Sequence, residues 1–562
     1  MEATSSEVLP VIFVLAVPIA TSLPLGLYMA RVFSGQRTFL DFVLAPVERV
    51  ILSLAAINTT QGMDWKRYSS ALLLSNACMW IVSFLVVSFQ GILPLNPDGI
   101  AGMEATLAFH TITSFVTNTN LQHYSGETGL SYLSQMIVIT FLQFMTAAAG
   151  IAAAIAIVRA LGGNGLETLG NFYLDTTRAA VRVLLPLAVV VAAVLMSQGA
   201  PMTFEGAERA TTLEGAEQII ARGPVAAEVA IKQLGTNGGG YFGPNSTHPY
   251  ENPTPLSNLL ENWSILAIPM AMVVTVAAML RRWRLGVMLF ATMLALYLPL
   301  VSVAVQQETS GSMEGKEVRI GAAASAFWAA STTATSNGSI NAMHDSLAPL
   351  SGLVLMIGMW LNNIFGGVGV GFINMLVYVV VTAFVAGMMV GRTPELLGKK
   401  VEAHEVKLAS LVLVLHPLLI LGGTAVACTV WVTTVDPGTT LAWLKNPGPH
   451  GFSEMLYEFS SASANNGSGF EGLGDNTSFW NLMTGLAMLL GRYIPIIAPL
   501  ALAASLGRKV SARQTEGTLS TDTFTFGFTL WAVVVIVGVL TFMPAAVLGP
   551  IGEHLSMTAI AK

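Results

Sequence analysis

The chain has 562 residues, of which 53% are hydrophobic and only 10% are Asp, Glu, Lys or Arg. Soluble globular proteins carry about 25% charged residues, so this composition, with a mean hydropathy of +0.66, indicates a polytopic membrane protein. It excludes a secreted disulfide scaffold and a disordered chain. The net charge of −6 offers no basic field for a phosphate backbone, which excludes nucleic acid and leaves membrane lipid as the expected surroundings.

Charge-poor runs long enough to cross a bilayer as a helix, which takes about 20 residues, occur ten times in the chain. The run 346–391 is too long for one straight helix and has glycines at Gly366, Gly367, Gly369 and Gly371, so we expect a single broken span. The ten runs are 8–30, 68–97, 128–158, 183–204, 262–280, 285–307, 346–391, 408–435, 476–507 and 523–552.

Lys and Arg predict the orientation of these spans, because cytoplasmic loops carry an excess of both. Most of the 26 basic residues fall in one set of alternate loops, which are 31–67, 159–182, 281–284, 392–407 and 508–513. We therefore expect these loops in the cytoplasm and both termini outside. No basic residue precedes the first span, which predicts an anchor rather than a cleaved signal peptide.

Four long outside loops carry related tripeptides, which indicate an internal repeat. They read Asn118-Thr119-Asn120, Thr236-Asn237-Gly238, Ser336-Asn337-Gly338 and Asn465-Asn466-Gly467. A stretch able to form a short helix precedes each of them, at 104–116, 224–234, 320–332 and 453–463, and a span follows each. The repeated unit is therefore a helix, a half-helix, a polar loop and a helix.

This unit divides the chain into an N-terminal part (1–67) with a span and a cytoplasmic amphipathic segment, four repeats, and a C-terminal span (523–552). The predicted fold is an all-α polytopic membrane protein with ten transmembrane helices. They form four pseudo-symmetric membrane–pore–membrane repeats and one extra helix at each end. The repeats are 68–158, 183–280, 285–391 and 408–507, with polar loop 1 (117–122), polar loop 2 (235–240), polar loop 3 (335–339) and polar loop 4 (464–468).

Taken singly, each tripeptide is typical of an ordinary turn. Four at equivalent positions favour a pore, because non-helical backbone at membrane depth survives only where it lines a watery cavity or is buried in protein. Rings of backbone carbonyls replace the hydration shell of a cation, and Gly and Asn tolerate the positive φ that turns carbonyls inward. The predicted ion site comprises Asn118, Thr119, Asn120, Thr236, Asn237, Gly238, Ser336, Asn337, Gly338, Asn465, Asn466 and Gly467.

Longer motifs around these loops resemble one known family, the potassium-binding A subunits (KdpA) of bacterial Kdp potassium-transporting ATPases. The resemblance covers essentially the whole chain. It adds Gln122, next to the predicted ion site (the filter), to the expected ion-binding residues, with support of the loop as the alternative role. The similar segments are SFVTNTN (114–120), QLGTNGGGYFGPNSTHPYENPTP (233–255), NAMHDS (341–346), FGGVGVG (365–371), GRTPELLGKK (391–400), NPGPHGFSE (446–454) and SSASANNGSGF (460–470).

The resemblance implies a subunit of a high-affinity uptake system in the bacterial inner membrane, with periplasmic termini. Such a subunit selects periplasmic K⁺ and passes it through an intramembrane tunnel to the P-type ATPase subunit, KdpB. The small subunits KdpC and KdpF complete the complex. K⁺ is the transported ion, and no organic cofactor is expected. The chain has no Asp-Lys-Thr-Gly phosphorylation motif and no GxxxxGK[ST] phosphate loop, so we expect ATP hydrolysis on the partner and no catalysis by this chain.

A gate below the filter is expected from three residues. Arg492 lies deep in a predicted span, where a charge costs roughly 2.5–3.5 kcal/mol. Matched by an arginine in the family, it is expected to repel K⁺ and divert the ion sideways, with snorkelling to the interface as the alternative. Gly367 and Gly369 are expected to form a gate or tunnel wall, with close helix packing at small residues as the alternative.

Two positions depart from the family pattern. Asn337 stands where the third filter usually has Cys, and we expect little change in selectivity; Asn362 stands where a Glu often precedes the FGGVG stretch. If that Glu conducts ions towards the tunnel, a neutral side chain would weaken conduction. His344 and Asp345 have no further ligands in their motif, so no metal site beyond that for K⁺ is predicted, and Asp345 is expected to stabilise the pore mouth.

Two alternatives remain open from the sequence. A passive K⁺ channel of the Trk/Ktr type, gated by regulatory subunits, shares the repeat architecture, although the long motifs at 241–255 and 446–454 favour the pump subunit. A polytopic lipid-modifying enzyme would need convergent acids, bases or metal ligands at one membrane face, and the sequence shows no such set.

Overall fold

A computed structural model describes residues 5–433, 443–446, 448–511 and 520–560. Within these residues, ten helices are long and apolar enough to cross a membrane, which confirms the predicted fold class. We number them spanning helix 1 to 10 in chain order. The first is helical from Ser5 to Phe33, and the others are Trp65–Ile92, Ser134–Gly162, Phe172–Gln198, Pro255–Leu280, Trp283–Thr309, Val370–Val390, Ala403–Thr433, Ser478–Arg508 and Phe524–Ala559.

A short helix precedes each polar loop, and we call these half-helices 1 to 4. They are Ala105–Val116, Val225–Leu234, Ala322–Ala334 and Pro449–Ala464. Each ends at its polar loop, so the partial negative charge of each helix C-terminus lies beside that loop. All four are buried over most of their length, which places the polar loops inside the bundle rather than on its surface.

Spanning helix 3 lies at the centre of the bundle. Of the 18-residue apolar stretch of this helix, 83% is buried. Its middle, from Ala147 to Ala156, consists of alanines and Gly150 apart from two isoleucines, Ile151 and Ile155. Small side chains allow neighbouring backbones to approach closely. Segment 362–369 and spanning helix 9 occupy the space that these small residues leave.

Spanning helix 4 begins at Phe172, so the predicted run 183–204 misses its charged N-terminal end. The charges there stay helical because they are paired. Asp175 accepts from Arg159 of spanning helix 3 at 3.0 Å, and Arg178 donates to Glu48 at 3.2 Å. Glu48 belongs to the amphipathic helix Asp41–Leu54, whose opposite face exposes apolar side chains.

The seventh span is broken where the glycines lie. It consists of a helix Pro349–Leu361, the non-helical segment 362–369 and spanning helix 7. Asn362 terminates the first helix in the left-handed region (φ +45°), and Gly366 (φ +44°) packs its backbone against Gly371. A side chain on either glycine would collide with the other, and would push segment 362–369 away from the start of spanning helix 7.

Regular structure outside the membrane spans is sparse. One antiparallel hairpin pairs Glu208–Thr211 with Glu217–Ile220, and a second pairs Glu395–Leu396 with Lys399–Lys400. Short helical turns occur at Gly126–Gly129, Asn245–Thr247 and His344–Ser346.

Candidate functional site

All four polar loops share one backbone pattern, in which the first and third tripeptide residues have positive φ and the middle residue does not. Alternating handedness points consecutive peptide groups to one side, so a loop of this kind can present a row of carbonyls. The left-handed pairs are Asn118 and Asn120 (+61° and +59°), Thr236 and Gly238 (+46° and +88°), Ser336 and Gly338 (+50° and +93°), and Asn465 and Gly467 (+53° and +106°).

The amide of each middle residue is bonded back to its own half-helix. Four equivalent bonds of 2.8–2.9 Å run from Thr119, Asn237, Asn337 and Asn466 to the carbonyls of Ser114, Lys232, Thr332 and Ser461. The carbonyls of the same four middle residues accept no hydrogen bond from the described part of the chain. Buried carbonyls normally find a partner, so these oxygens are available to a ligand.

The polar loops form a closed ring in the order 1–2–3–4. A Cβ added to Gly238 would collide with the Asn337 carbonyl, one on Gly338 with the Asn466 carbonyl, and one on Gly467 with the Thr119 carbonyl. Loop 1 completes the ring because the Asn118 amide donates to the Thr236 carbonyl at 3.1 Å. Three of the four contacts therefore need a glycine for space as well as for its φ.

Amide side chains of the middle asparagines connect neighbouring repeats. Asn237 donates to the Asn118 side chain at 2.7 Å, and Asn466 donates to the Thr332 carbonyl at 2.9 Å. Asn337 donates to the Lys232 carbonyl at 3.2 Å. It thus makes the same kind of inter-repeat bond as Asn466.

Asn120 and Gln122 are bonded within the protein. The Gln122 amide donates to the Gly240 carbonyl at 3.0 Å and accepts from the Gly240 amide at 2.8 Å. Asn120 accepts from Gln143 of spanning helix 3 at 3.3 Å. These contacts favour a supporting role for the Gln122 side chain, holding loop 2 beside loop 1.

Lys232 supports polar loop 2 through a buried ion pair and a hydrogen bond. It is fully buried, forms an ion pair with Glu251 and donates to Asn245 at 2.7 Å. Asn245 in turn donates to the Gly238 carbonyl at 2.6 Å. Burial, and secondly the charge of Glu251, raises the pKa of the neighbouring Glu228.

Segment 362–369 lies directly against the ring. The Val368 amide donates to the Thr236 hydroxyl at 2.9 Å. Asn362 accepts from the Ser336 hydroxyl at 2.7 Å and donates to the Ala464 carbonyl at 3.2 Å, so it connects loops 3 and 4. A Cβ on Gly367 would lie 3.6 Å from the Thr236 hydroxyl, which places this glycine at the ring.

Gly369 lies against spanning helix 3 and not against the ring, because a Cβ there would collide with the Gly150 carbonyl of that helix. Arg492 reaches the same place: a Cβ on Gly150 would lie 2.6 Å from the Val368 carbonyl and 3.2 Å from Nη2 of Arg492. Arg492 is 5% exposed and makes no salt bridge within the described residues. The structure thus brings Arg492 and segment 362–369 together at spanning helix 3.

A cavity of about 40 Å³ adjoins this region between the broken span and spanning helices 8, 9 and 10. Its polar lining includes Asn362, Asn374, His416 and Ser463. His416 bonds to the Ser463 hydroxyl at 2.8 Å and to the Met359 carbonyl at 3.1 Å. No motif surrounds His416 in the sequence, so only the packing of the helices identifies this position.

Known proteins resemble this chain over nearly its whole length. A family model described as "Potassium-transporting ATPase A subunit" (KdpA) matches residues 12–555. A relative from Phocaeicola vulgatus, named "Potassium-transporting ATPase potassium-binding subunit", is 49% identical over 98% of this chain and 100% of its own. A relative of the same name from Geobacillus kaustophilus is 48% identical over 97% of this chain and 98% of its own.

Among solved structures, the potassium transporter TrkH from Vibrio parahaemolyticus matches with a TM-score of 0.51. The match covers 87% of this chain and 97% of TrkH, at 14% sequence identity. At that identity the likeness shows a common fold and no more.

Proposed function

This chain belongs to the family of potassium-transporting ATPase A subunits, and we propose that its four polar loops form the selectivity filter of a high-affinity, ATP-driven K⁺ uptake system. The observation that carries the proposal is the closed ring of left-handed loop pairs with unbonded middle carbonyls. Carbonyl rings of this kind replace the water around a cation, and the four half-helix C-termini add a favourable partial negative charge.

The path below the filter is proposed to turn sideways. Segment 362–369 is bonded to polar loops 2, 3 and 4, and the buried guanidinium of Arg492 adds a positive charge near this segment. A cation leaving the ring would meet repulsion on the straight path. The ion would instead enter an intramembrane tunnel that leads to the ATPase subunit, KdpB.

ATP hydrolysis is proposed to reside on KdpB, with the small subunits KdpC and KdpF completing the complex. In this proposal the chain lies in the bacterial inner membrane with both termini in the periplasm. The half-helices enter from the same side, so the ring opens to the periplasmic K⁺ supply.

The test is K⁺-stimulated ATPase activity of the complex that copurifies with the chain, measured beside a Gly238→Asp variant. Gly215→Asp is the matched control, because Gly215 has a similar φ (+84° against +88°) but open space around it. We expect the Gly238 variant to lose K⁺ stimulation and the Gly215 variant to keep it. Equal stimulation in both variants would contradict a filter at the ring.

The same preparation distinguishes the passive channel, which the TrkH-like fold also permits. If no ATPase copurifies and the reconstituted chain alone conducts K⁺, the passive Trk/Ktr-type function is correct.

A further inference from the structure

Three carboxylates and one histidine meet on the outer side of repeats 3 and 4, away from the polar loops. Asp345 follows polar loop 3, His450 and Glu454 lie in the first turns of half-helix 4, and Glu553 lies near the end of spanning helix 10. One ligand atom from each of Asp345, His450 and Glu454 lies within 4.8 Å of the others. Three distant parts of the chain thus converge here.

His450 is oriented as a metal-binding histidine usually is. Its Nδ1 faces Glu553 Oε1 at 2.8 Å, while Nε2 faces Asp345 Oδ1 at 3.0 Å and Glu454 Oε1 at 4.0 Å. Metal-ligating histidines almost always donate the second ring N–H to a carboxylate or carbonyl, which fixes the tautomer. Glu553 is placed to do this, leaving Nε2 directed at the other two carboxylates.

Glu454 is buried with only a weak charged partner. Its side chain is 0% exposed, neither carboxylate oxygen is in hydrogen-bond geometry with a described residue, and its ion pair with His450 Nε2 is long, at 4.0 Å. The buried Glu251 and Glu308 have closer partners in Lys232 and Lys316. A buried carboxylate that is weakly paired is costly, and a cation between Glu454 and Asp345 would compensate the charge of both.

Gly472 lets the two carboxylates lie close together against the backbone. A Cβ added to Gly472 would collide with the Glu454 carboxylate and lie 2.7 Å from Asp345 Oδ2. The Asp345 backbone amide donates to the Glu471 carboxylate at 3.0 Å, and this bond holds Asp345 in place.

We propose that Asp345, His450 and Glu454 form a binding site for a divalent transition-metal cation, with Zn²⁺ as the best match. Two carboxylate oxygens and one imidazole nitrogen are zinc ligands with bonds of about 2.0–2.2 Å. Two carboxylates balance the charge of the ion, and the metal replaces the proton on Nε2. The bound ion would join the loop after polar loop 3, half-helix 4 and the end of spanning helix 10.

The experiment uses the purified complex, freed of metal with EDTA and titrated with zinc chloride, with bound zinc measured by mass spectrometry. We expect one zinc per chain and a rise in melting temperature on binding. Absence of stoichiometric zinc in the wild type would overturn the proposal without reference to any variant. The result does not depend on whether the polar loops select K⁺.

Variants then assign the ligands. His450→Gln and Glu454→Gln should weaken zinc binding at least tenfold and abolish the zinc-induced rise in melting temperature. Glu553→Gln should weaken binding by about 10–100-fold, as loss of an orienting partner does. His554→Gln is the matched control, because it removes a neighbouring histidine outside the cluster. Wild-type affinity in both His450→Gln and Glu454→Gln would refute the assignment.

Discussion

The ring of polar loops makes a quantitative prediction at Gly338. A Cβ there would collide with the Asn466 carbonyl oxygen and lie 2.8 Å from both its carbonyl carbon and Gly467 Cα. Contacts of that kind normally exceed 3.4 Å, and all three of these neighbouring atoms are backbone of polar loop 4. Gly338→Ala therefore has to displace the adjacent loop, and with it an unbonded carbonyl.

The magnitude follows from separating backbone strain from collision. Strain at φ +93° costs about 1–2 kcal/mol for a residue with a Cβ. Gly321→Ala also introduces a Cβ at a left-handed φ (+87°, with ψ 159°), but nothing lies within 4 Å of its Cβ position. It is the control for backbone strain without a collision at the ring.

The assay is the K⁺ concentration for half-maximal ATPase stimulation, measured with Rb⁺ and Na⁺ beside K⁺. If displacement of one carbonyl costs 1–2 kcal/mol of ion binding, that concentration rises about 5–30-fold in Gly338→Ala, and discrimination against Na⁺ falls. Gly321→Ala should stay within about twofold of wild type, because its strain lies outside the ring. Unchanged affinity and selectivity in Gly338→Ala would refute a filter built from these carbonyls.

Three further predictions concern the surroundings of the ring. Arg492→Met should raise ATP-independent K⁺ leak in proteoliposomes, because it removes the buried positive charge beside segment 362–369, and unchanged leak would contradict the barrier. Asn337→Ala should lower the free energy of unfolding by about 1–3 kcal/mol, because it removes the bond to the Lys232 carbonyl and leaves the buried Ser339 amide without its acceptor. An unchanged free energy of unfolding, measured with denaturant, would count against the inter-repeat bond. The stability of the protein should depend on pH through His123. Burial alone would lower the pKa of His123, but Asp475 and Glu458 raise it to about 9. This pKa is above the value of about 6.5 for histidine in the unfolded chain. The protonated His123 therefore stabilises the folded state fully below about pH 6.5, and this contribution is lost as the pH rises through about 9. The fall in melting temperature between about pH 7 and 10 should be smaller in His123→Gln, which keeps Asn481 and His110 as neighbours but lacks the charge; an equal fall in both would exclude this group.

Much of the fold could be predicted because its signals are local. The ten spans follow from long apolar runs, and the repeat follows from four tripeptides at equivalent places. Helix ends were less predictable. Spanning helix 4 starts at Phe172 because Asp175 and Arg178 are paired with residues outside that helix, and composition alone assigns such charges to a loop.

A ten-span membrane protein with four polar loops could be predicted from the sequence, because hydropathy and the φ tolerance of Gly and Asn are properties of single residues and short segments. The order of the loops around the ring, the contact of Asn362 with two of them, and the proximity of Asp345 to His450 and Glu454 became known only from the folded chain. Those relations join residues far apart in the chain, and their distances depend on how the spanning helices pack.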